Sequence, residues 1–231
     1  MLDRWGSRVT ADQEGLSGEA VSAISADLEK QGPAAAIAWA VERWPGGVAV
    51  ACSFQDCVII DLAVRADPEV EVIFLDTGFH FPETLAFVET VRRRYDLNLT
   101  VTRPGPEALE WPCGTASCCE LRKVQPLARA LTGRRAWVTG LKRVDSPTRA
   151  TAPVLAFDER RGMFKLNPLA SWTDRDVELY AAKHRLPMHR LLAHGYLSIG
   201  CAPTTDPVAP GADPRSGRWA GSSKTEGGLH G

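Results

Sequence analysis

Apolar positions change period along this chain, and helical and extended patterns alternate. Residues 20–31 and 33–44 carry apolar side chains three and four apart, the period of a helix with one buried face. Pro33 falls at a first-turn position, where its missing N–H costs nothing. Pro45, Gly46 and Gly47 stop that pattern, and residues 48–52 form a short apolar run with β-branched Val48 and Val50. Such a run predicts a strand buried on both faces. The alternation then repeats: helix at 57–65, strand at 70–75, helix at 81–96, strand at 97–102, helix at 118–131, strand at 136–139. Pro126 predicts a kink or short break in the fifth of these helices. A further strand is expected at 163–167. A helix at 174–184 follows the capping run Ser171-Trp172-Thr173-Asp174, and a short one at 188–194 ends at Gly195.

A β-α-β-α-β order implies right-handed crossovers and a parallel sheet, so the fold class is α/β with a doubly wound sheet. Three segments are expected: an N-terminal helical segment (1–46), an α/β domain (47–201) and a Pro-, Gly-, Ser- and Thr-rich tail (202–231) with few apolar anchors, read as mobile. Residues 1–17 are mostly polar and expected to be poorly ordered. No internal repeat is present.

Ligands of open α/β sheets bind at the carboxyl ends of strands, and three such ends carry suitable residues. Ser53-Phe54-Gln55-Asp56 joins the first strand to its helix, a junction whose free N–H groups suit phosphate but also one that every α/β protein has. It lacks the glycines and the Lys-Ser/Thr pair of a Walker loop. Asp76 and Thr77 end the second strand, and Asp76 serves equally as a cap for the next segment. After the strand at 136–139, Lys142, Arg143 and Arg149 share a loop with Ser146 and Thr148. That loop suits an anionic, oxygen-rich ligand, or is a solvated basic surface.

The 231 residues are 44% hydrophobic and 24% charged, enough for a globular domain with a sizeable core. A net charge of -1 leaves no electrostatic footprint for nucleic acid or an anionic membrane. No apolar run reaches membrane-spanning length, and the N-terminus lacks the order of a signal peptide, so a cytoplasmic location is expected. The six cysteines should then be reduced and available for metal ligation or catalysis. Cys118 and Cys119 stand at a predicted helix start, where backbone N–H groups favour thiolates. Their side chains point about 100° apart, awkward for one tetrahedral zinc but workable for two corners of a cubane. Cys201 is a third thiol for that set; three unrelated buried thiols are the alternative. The five histidines lack the paired spacing of a zinc helix.

Taken in order, Ser53-Phe54-Gln55-Asp56, Leu75-Asp76-Thr77-Gly78, Cys118-Cys119 with Arg122-Lys123, and Val138-Thr139-Gly140-Leu141-Lys142-Arg143 resemble the motifs of assimilatory sulfonucleotide reductases. Asn167-Pro168-Leu169, Gly195-Tyr196-Leu197-Ser198-Ile199-Gly200-Cys201 and the tail from Lys224 to His230 continue the resemblance, which spans position 48 to the C-terminus. The cysteine pair resembles the iron–sulfur adenylyl-sulfate branch more than the phosphoadenylyl-sulfate branch. The resemblance implies an adenine-nucleotide α-hydrolase-like fold and a 4Fe–4S cluster on Cys118, Cys119 and Cys201. It also implies thioredoxin-dependent reduction of adenylyl sulfate to sulfite and AMP, in sulfate assimilation and cysteine biosynthesis. By position, Ser53, Gln55, Asp76 and Thr77 would hold the nucleotide, and Lys142, Arg143, Arg149 and Arg218 the phosphosulfate. Oligomeric state is left open.

Three departures accompany it. The second cysteine of the family's Cys-x-x-Cys is Thr204, the nucleophile of Glu-Cys-Gly-Leu-His is Gly227, and the segment between Thr102 and Cys118 is short for the family. A glycine cannot attack sulfur, so the usual route is closed. The alternatives are a homologue that only binds adenine nucleotides, or rerouted chemistry on Cys113, Cys52 or Cys57. ATP-dependent adenylation is the weakest, since it needs a glycine-rich loop. With three thiolates, the cluster is expected to be labile at a fourth corner open to water, a small thiol or Cys113.

Overall fold

The computed structural model describes residues 15–220, 224 and 226–229; most of the polar N-terminal stretch and the C-terminal His230 lie outside them. In chain order the elements are α1 (Gly18–Gln31), α2 (Pro33–Arg43), β1 (Val48–Ala51), α3 (Val58–Ala66), β2 (Glu71–Leu75), α4 (Pro82–Tyr95) and β3 (Leu99–Thr102). Then come α5 (Ala116–Cys119), α6 (Gln125–Ala130), β4 (Ala136–Thr139), β5 (Leu155–Asp158), β6 (Met163–Leu166) and α7 (Asp174–Lys183). The sheet order is β3-β2-β1-β4-β6-β5. Strands run outward from β1 in both directions, which is the doubly wound pattern expected.

The chain forms two compact units. One gathers the chain up to Cys52, Val58–Val72 and Leu131–His184; the other gathers Ser53–Cys57, Ile73–Ala130 and the chain from Arg185.

In the first unit, β4 pairs parallel with β1 (Val48↔Ala136) and with β6 (Ala136↔Phe164). The unforeseen element is β5, which pairs antiparallel with β6 (Leu155↔Leu166) and makes the sheet mixed. Residues 159–162 close this hairpin, with Gly162 at φ 63. A four-residue loop ending in a left-handed glycine is a hairpin signal that helical periodicity overlooks. Trp137, Phe164, Ile37, Ile60, Leu155 and Leu166 are fully buried, and Trp44 stacks on Phe164 at 4.8 Å. Thr173 caps α7 as the sequence predicts: its Oγ1 accepts from Asp176 N at 3.2 Å, and Thr173 N donates to Asp176 Oδ2 at 2.8 Å. Buried Asp61 survives burial because Tyr180 Oη and Arg65 Nε each donate to it at 2.7 Å.

In the second unit, Phe54, Phe74, Leu127 and His189 are fully buried. Phe54 stands in the left-handed region (φ 56), where a bulky residue costs about 1–2 kcal/mol. Its ring is held edge-on against Phe74 at 5.3 Å, and this contact fixes the turn that follows β1. The helix expected at 118–131 is continuous, but residues Glu120–Val124 form a π-turn, with Gln125 N returning to Glu120 O. Pro126 has no N–H for Arg122 O, and the wider turn accommodates that missing bond.

His189 accepts from Leu191 N at its Nδ1 (3.2 Å), so Nε2 carries the proton and donates to Thr84 Oγ1 at 3.0 Å. Burial lowers its pKa from the ordinary 6.5, against the opposing pull of Glu83. A depressed folded pKa contributes stability that is complete above the unfolded value and is lost as pH falls through the folded one. Unfolding free energy should therefore fall as pH drops below about 6.5, with up to one proton taken up on unfolding. Denaturant titrations of His189→Gln should show a flatter slope in that window. An unchanged slope would mean another group carries the acid sensitivity.

Candidate functional site

Thr115 begins the site. Its Oγ1 accepts from Cys118 N at 3.2 Å and its carbonyl from Cys119 N at 3.1 Å, so Cys118 and Cys119 stand in the first turn of the helix, at the end of α5. Gly114, at φ +95, turns the chain just before; an added Cβ would lie 3.0 Å from Thr204 Cγ2. Only glycine fits both that conformation and that approach. The turn brings Cys113 back into contact with the segment carrying Cys201.

Cys113, Cys118, Cys119 and Cys201 line one hollow in the second unit, with Thr77, Gly114, Arg122, Lys123, Thr204 and Trp219. Cys118, Cys119 and Cys201 are buried and Cys113 is partly exposed. Among the described residues, no three His, Cys, Asp or Glu side chains converge as a ready metal site. The hollow is polarised. The Cys113 thiol donates to Cys201, which, against the penalty of burial and with help from Lys123, Thr77 and His80, lowers the Cys201 pKa to about 4. The same bond, burial and the Cys201 charge push the Cys113 thiol upward. Thr77 Oγ1 lies 3.5 Å from Cys201 Sγ, and Cys113 Sγ 3.9 Å from Thr204 Oγ1. Cys201 is thus the thiolate of this pair and Cys113 its proton donor.

Arg122 is buried beneath the hollow. Its Nη1 donates to Thr77 O at 2.7 Å, its Nη2 to Ala108 O at 2.8 Å, and its guanidinium covers the Phe79 ring at 4.3 Å. Lys224, which the sequence reading left without a role, donates from Nζ to Cys119 Sγ at 3.0 Å, Gly114 O at 2.8 Å and Thr115 O at 3.3 Å. Trp219 joins it, with Arg218 at 4.6 Å and Lys224 at 5.5 Å from its ring centroid. Trp219 N donates to Thr204 O at 3.0 Å, and Thr205 bridges Arg218, so this part of the C-terminal segment is bonded back onto the Cys201 loop. Gly227 lies where an added Cβ would meet Lys123 Nζ at 3.8 Å and Lys123 Cδ at 3.9 Å, ordinary contacts.

The remaining sequence-selected residues divide between the units. In the second, Gln55 accepts from Ile199 N at 2.8 Å and donates to Leu197 O at 3.3 Å, so its amide organises the 197–201 loop. Asp76 accepts from Gly78 N at 3.1 Å, the capping role the sequence allowed, and from Arg103 Nε at 3.0 Å. Thr77 Oγ1 also accepts from Phe79 N at 3.2 Å. Arg218 Nη1 donates to Ser198 Oγ at 3.4 Å and lies against the backbone of Gly200. Ser53 is exposed at the start of the turn after β1.

In the first unit, the three cations after β4 are matched by carboxylates. Lys142 Nζ donates to Asp145 at 2.7 Å and Asp174 at 2.6 Å. Burial works to lower its pKa, but those two charges raise it on balance. Arg149 pairs with Asp145 at 3.2 Å, and Arg143 takes Glu29 bidentately at 2.6 and 2.8 Å. Asp145 belongs to the same loop, whereas Asp174 and Glu29 come from distant segments with no signal in local sequence.

Among the described residues, no helix is long and apolar enough to cross a membrane. Residues 47–207 match the Phosphoadenosine phosphosulfate reductase domain. The chain is 42% identical to the adenosine 5'-phosphosulfate reductase of Mycolicibacterium smegmatis, over 96% of this chain and 98% of that one. It is 42% identical to the protein of that name from Streptomyces coelicolor, over 96% and 100%. Among solved structures, the phosphoadenylyl-sulfate reductase of Candida auris superposes with a TM-score of 0.74 at 30% identity, covering 83% of this chain and 98% of that one. The Candida glabrata FMN adenylyltransferase shares the fold alone, with a TM-score of 0.61 at 17% identity, covering 85% and 69%. With its doubly wound sheet and its cysteine pair in the first helical turn after Thr115, the chain belongs to the phosphoadenosine phosphosulfate reductase domain family, among relatives named adenosine 5'-phosphosulfate reductases.

Proposed function

We propose that this chain reduces adenylyl sulfate to sulfite and AMP, drawing two electrons from a thioredoxin-type dithiol. The observation that carries the reading is 42% identity across 96% of the chain to a protein named for that activity, beside a hollow lined by four cysteines in this chain. Ser53, Asp76 and Thr77 hold the nucleotide. Gln55 acts through the 197–201 loop that its amide binds. Arg218, hydrogen-bonded to Ser198 of that loop, meets the sulfate end.

A thiolate attacks the sulfate sulfur, an S–S bond forms, and the bond from sulfur to the phosphate oxygen breaks as AMP leaves with the electron pair. A dithiol thiolate then attacks the enzyme sulfur and sulfite leaves; the second dithiol sulfur resolves the mixed disulfide and restores the enzyme thiol. Gly227 cannot supply the attacking sulfur. Cys57 is buried with its Sγ 3.8 Å from Pro187 O, and Cys113 belongs to the hollow. Cys52, partly exposed directly after β1, is the remaining candidate of the three.

A 4Fe–4S cluster fits the hollow by donor chemistry, since soft thiols suit iron–sulfur centres and Lys123 and Lys224 offset their negative charge. Cys118, Cys119 and Cys201 would hold it. When bound it supplies structural and electrostatic support, because the dithiol supplies both electrons.

The test is incubation of anaerobically purified protein with sulfur-labelled adenylyl sulfate, followed by dithiol. Labelled sulfite on dithiol addition, and a sulfonate adduct mapped to Cys52 and lost in Cys52→Ser, are the expected results. AMP binding with neither adduct nor sulfite would overturn the reductase reading and leave a nucleotide-binding protein.

A further inference from the structure

Four cysteines line the hollow, yet the resemblance accounts for three of them. The fourth, Cys113, comes from a segment with no counterpart among the matched motifs. Its Sγ lies 3.9 Å from the Thr204 hydroxyl, the side chain standing where relatives of the resembling branch carry a cysteine. Two independent features hold it there. Gly114 at φ +95 makes the turn, and its missing Cβ lets Thr204 Cγ2 approach to the distance at which a Cβ would crowd it. Lys224 Nζ ties the Gly114 and Thr115 carbonyls to Cys119 Sγ, so the segment carrying Cys113 is fastened to the helix carrying the cysteine pair.

We infer that Cys113 is the fourth cluster ligand of this chain, taking over from residue 113 the corner that position 204 has lost. Threonine is a poor substitute, since its hydroxyl stays protonated near neutral pH and is a hard donor for a soft site. A thiol on the neighbouring segment restores an all-thiolate set without changing the cubane. The inference rests on the cluster reading above and amends its expectation of an open, labile corner: the cluster should be complete and bound through two segments that meet at Gly114 and Thr204.

Iron and sulfide content, paramagnetic resonance of the reduced protein and Mössbauer spectra of anaerobic, iron-reconstituted protein test this without recourse to activity. The unmodified chain should hold about four irons per chain in one cubane. Cys113→Ser should lose iron at one corner, giving a three-iron signal or substoichiometric iron, while circular dichroism reports an intact fold. Cys113→Ser combined with Thr204→Cys should recover the four-iron cluster. Full iron with unchanged spectra in Cys113→Ser would overturn the ligand assignment and leave the cluster standing. A cubane that appears in Thr204→Cys but not in the unmodified chain would overturn it equally. No iron in either protein would instead remove the cluster reading itself.

Discussion

Gly227→Cys should raise sulfite release from adenylyl sulfate by about a hundredfold or more, since a nucleophile acting within a catalytic unit is worth at least that much. Position 227 is open to a side chain: its φ lies outside the left-handed region, and the added Cβ would make only ordinary contacts with Lys123. That neighbour matters chemically. An ammonium within reach of a new thiol favours the thiolate, the form that attacks sulfur. Mass spectrometry after a single incubation should show one SO3 added, mapped to residue 227 in the variant and never there in the unmodified chain. Unchanged sulfite release with no adduct at 227 would mean that the end of the chain does not bring this residue to the sulfur, despite its contact with Lys123.

Arg122→Leu should destabilise the protein by about 3 kcal/mol, because two charge-assisted bonds are lost and their carbonyl acceptors are left in a buried setting. Those acceptors, Thr77 O and Ala108 O, belong to two segments of the second unit far apart in sequence. Arg122 therefore acts as a strut, and the stacking on Phe79 at 4.3 Å adds to it. Arg122→Lys keeps the charge but not the fork that reaches both carbonyls, and should lose most of the same stability. Urea unfolding of the three proteins checks this. A loss below about 1 kcal/mol for Arg122→Leu would show that water satisfies the two carbonyls. The position of Arg122, four residues beyond Cys118 on a helix interrupted by a π-turn, couples this strut to the cysteine pair.

Local pattern in the sequence is sufficient for the elements and for much of the candidate chemistry. The period of apolar residues marks β1, β2, β3, β4 and β6 and the helices between them, because burial on one helical face or both strand faces is written at neighbouring positions. Thr173 and Asp176 announce α7, and Cys118 with Cys119 announces the site, since caps and adjacent ligands are also local. Motif order then suffices for the family and the fold class. The β5 strand escaped, since four residues beside a hairpin loop carry too little period to be recognised.

Only the tertiary structure decided which distant side chains meet. Cys113 and Thr204 are 91 positions apart, Lys224 and Cys119 105, and Glu29 and Arg143 114. No periodicity reaches over such separations, and a charged loop reads the same whether its partners are a ligand or its own carboxylates. Of the carboxylates that match the cations after β4, Asp145 lies in the same loop, whereas Asp174 and Glu29 are brought up by folding. The loss of a cysteine at 204 looked like a damaged site for the same reason. Its replacement stands on a segment that approaches only because a glycine turns the chain and an absent Cβ leaves room.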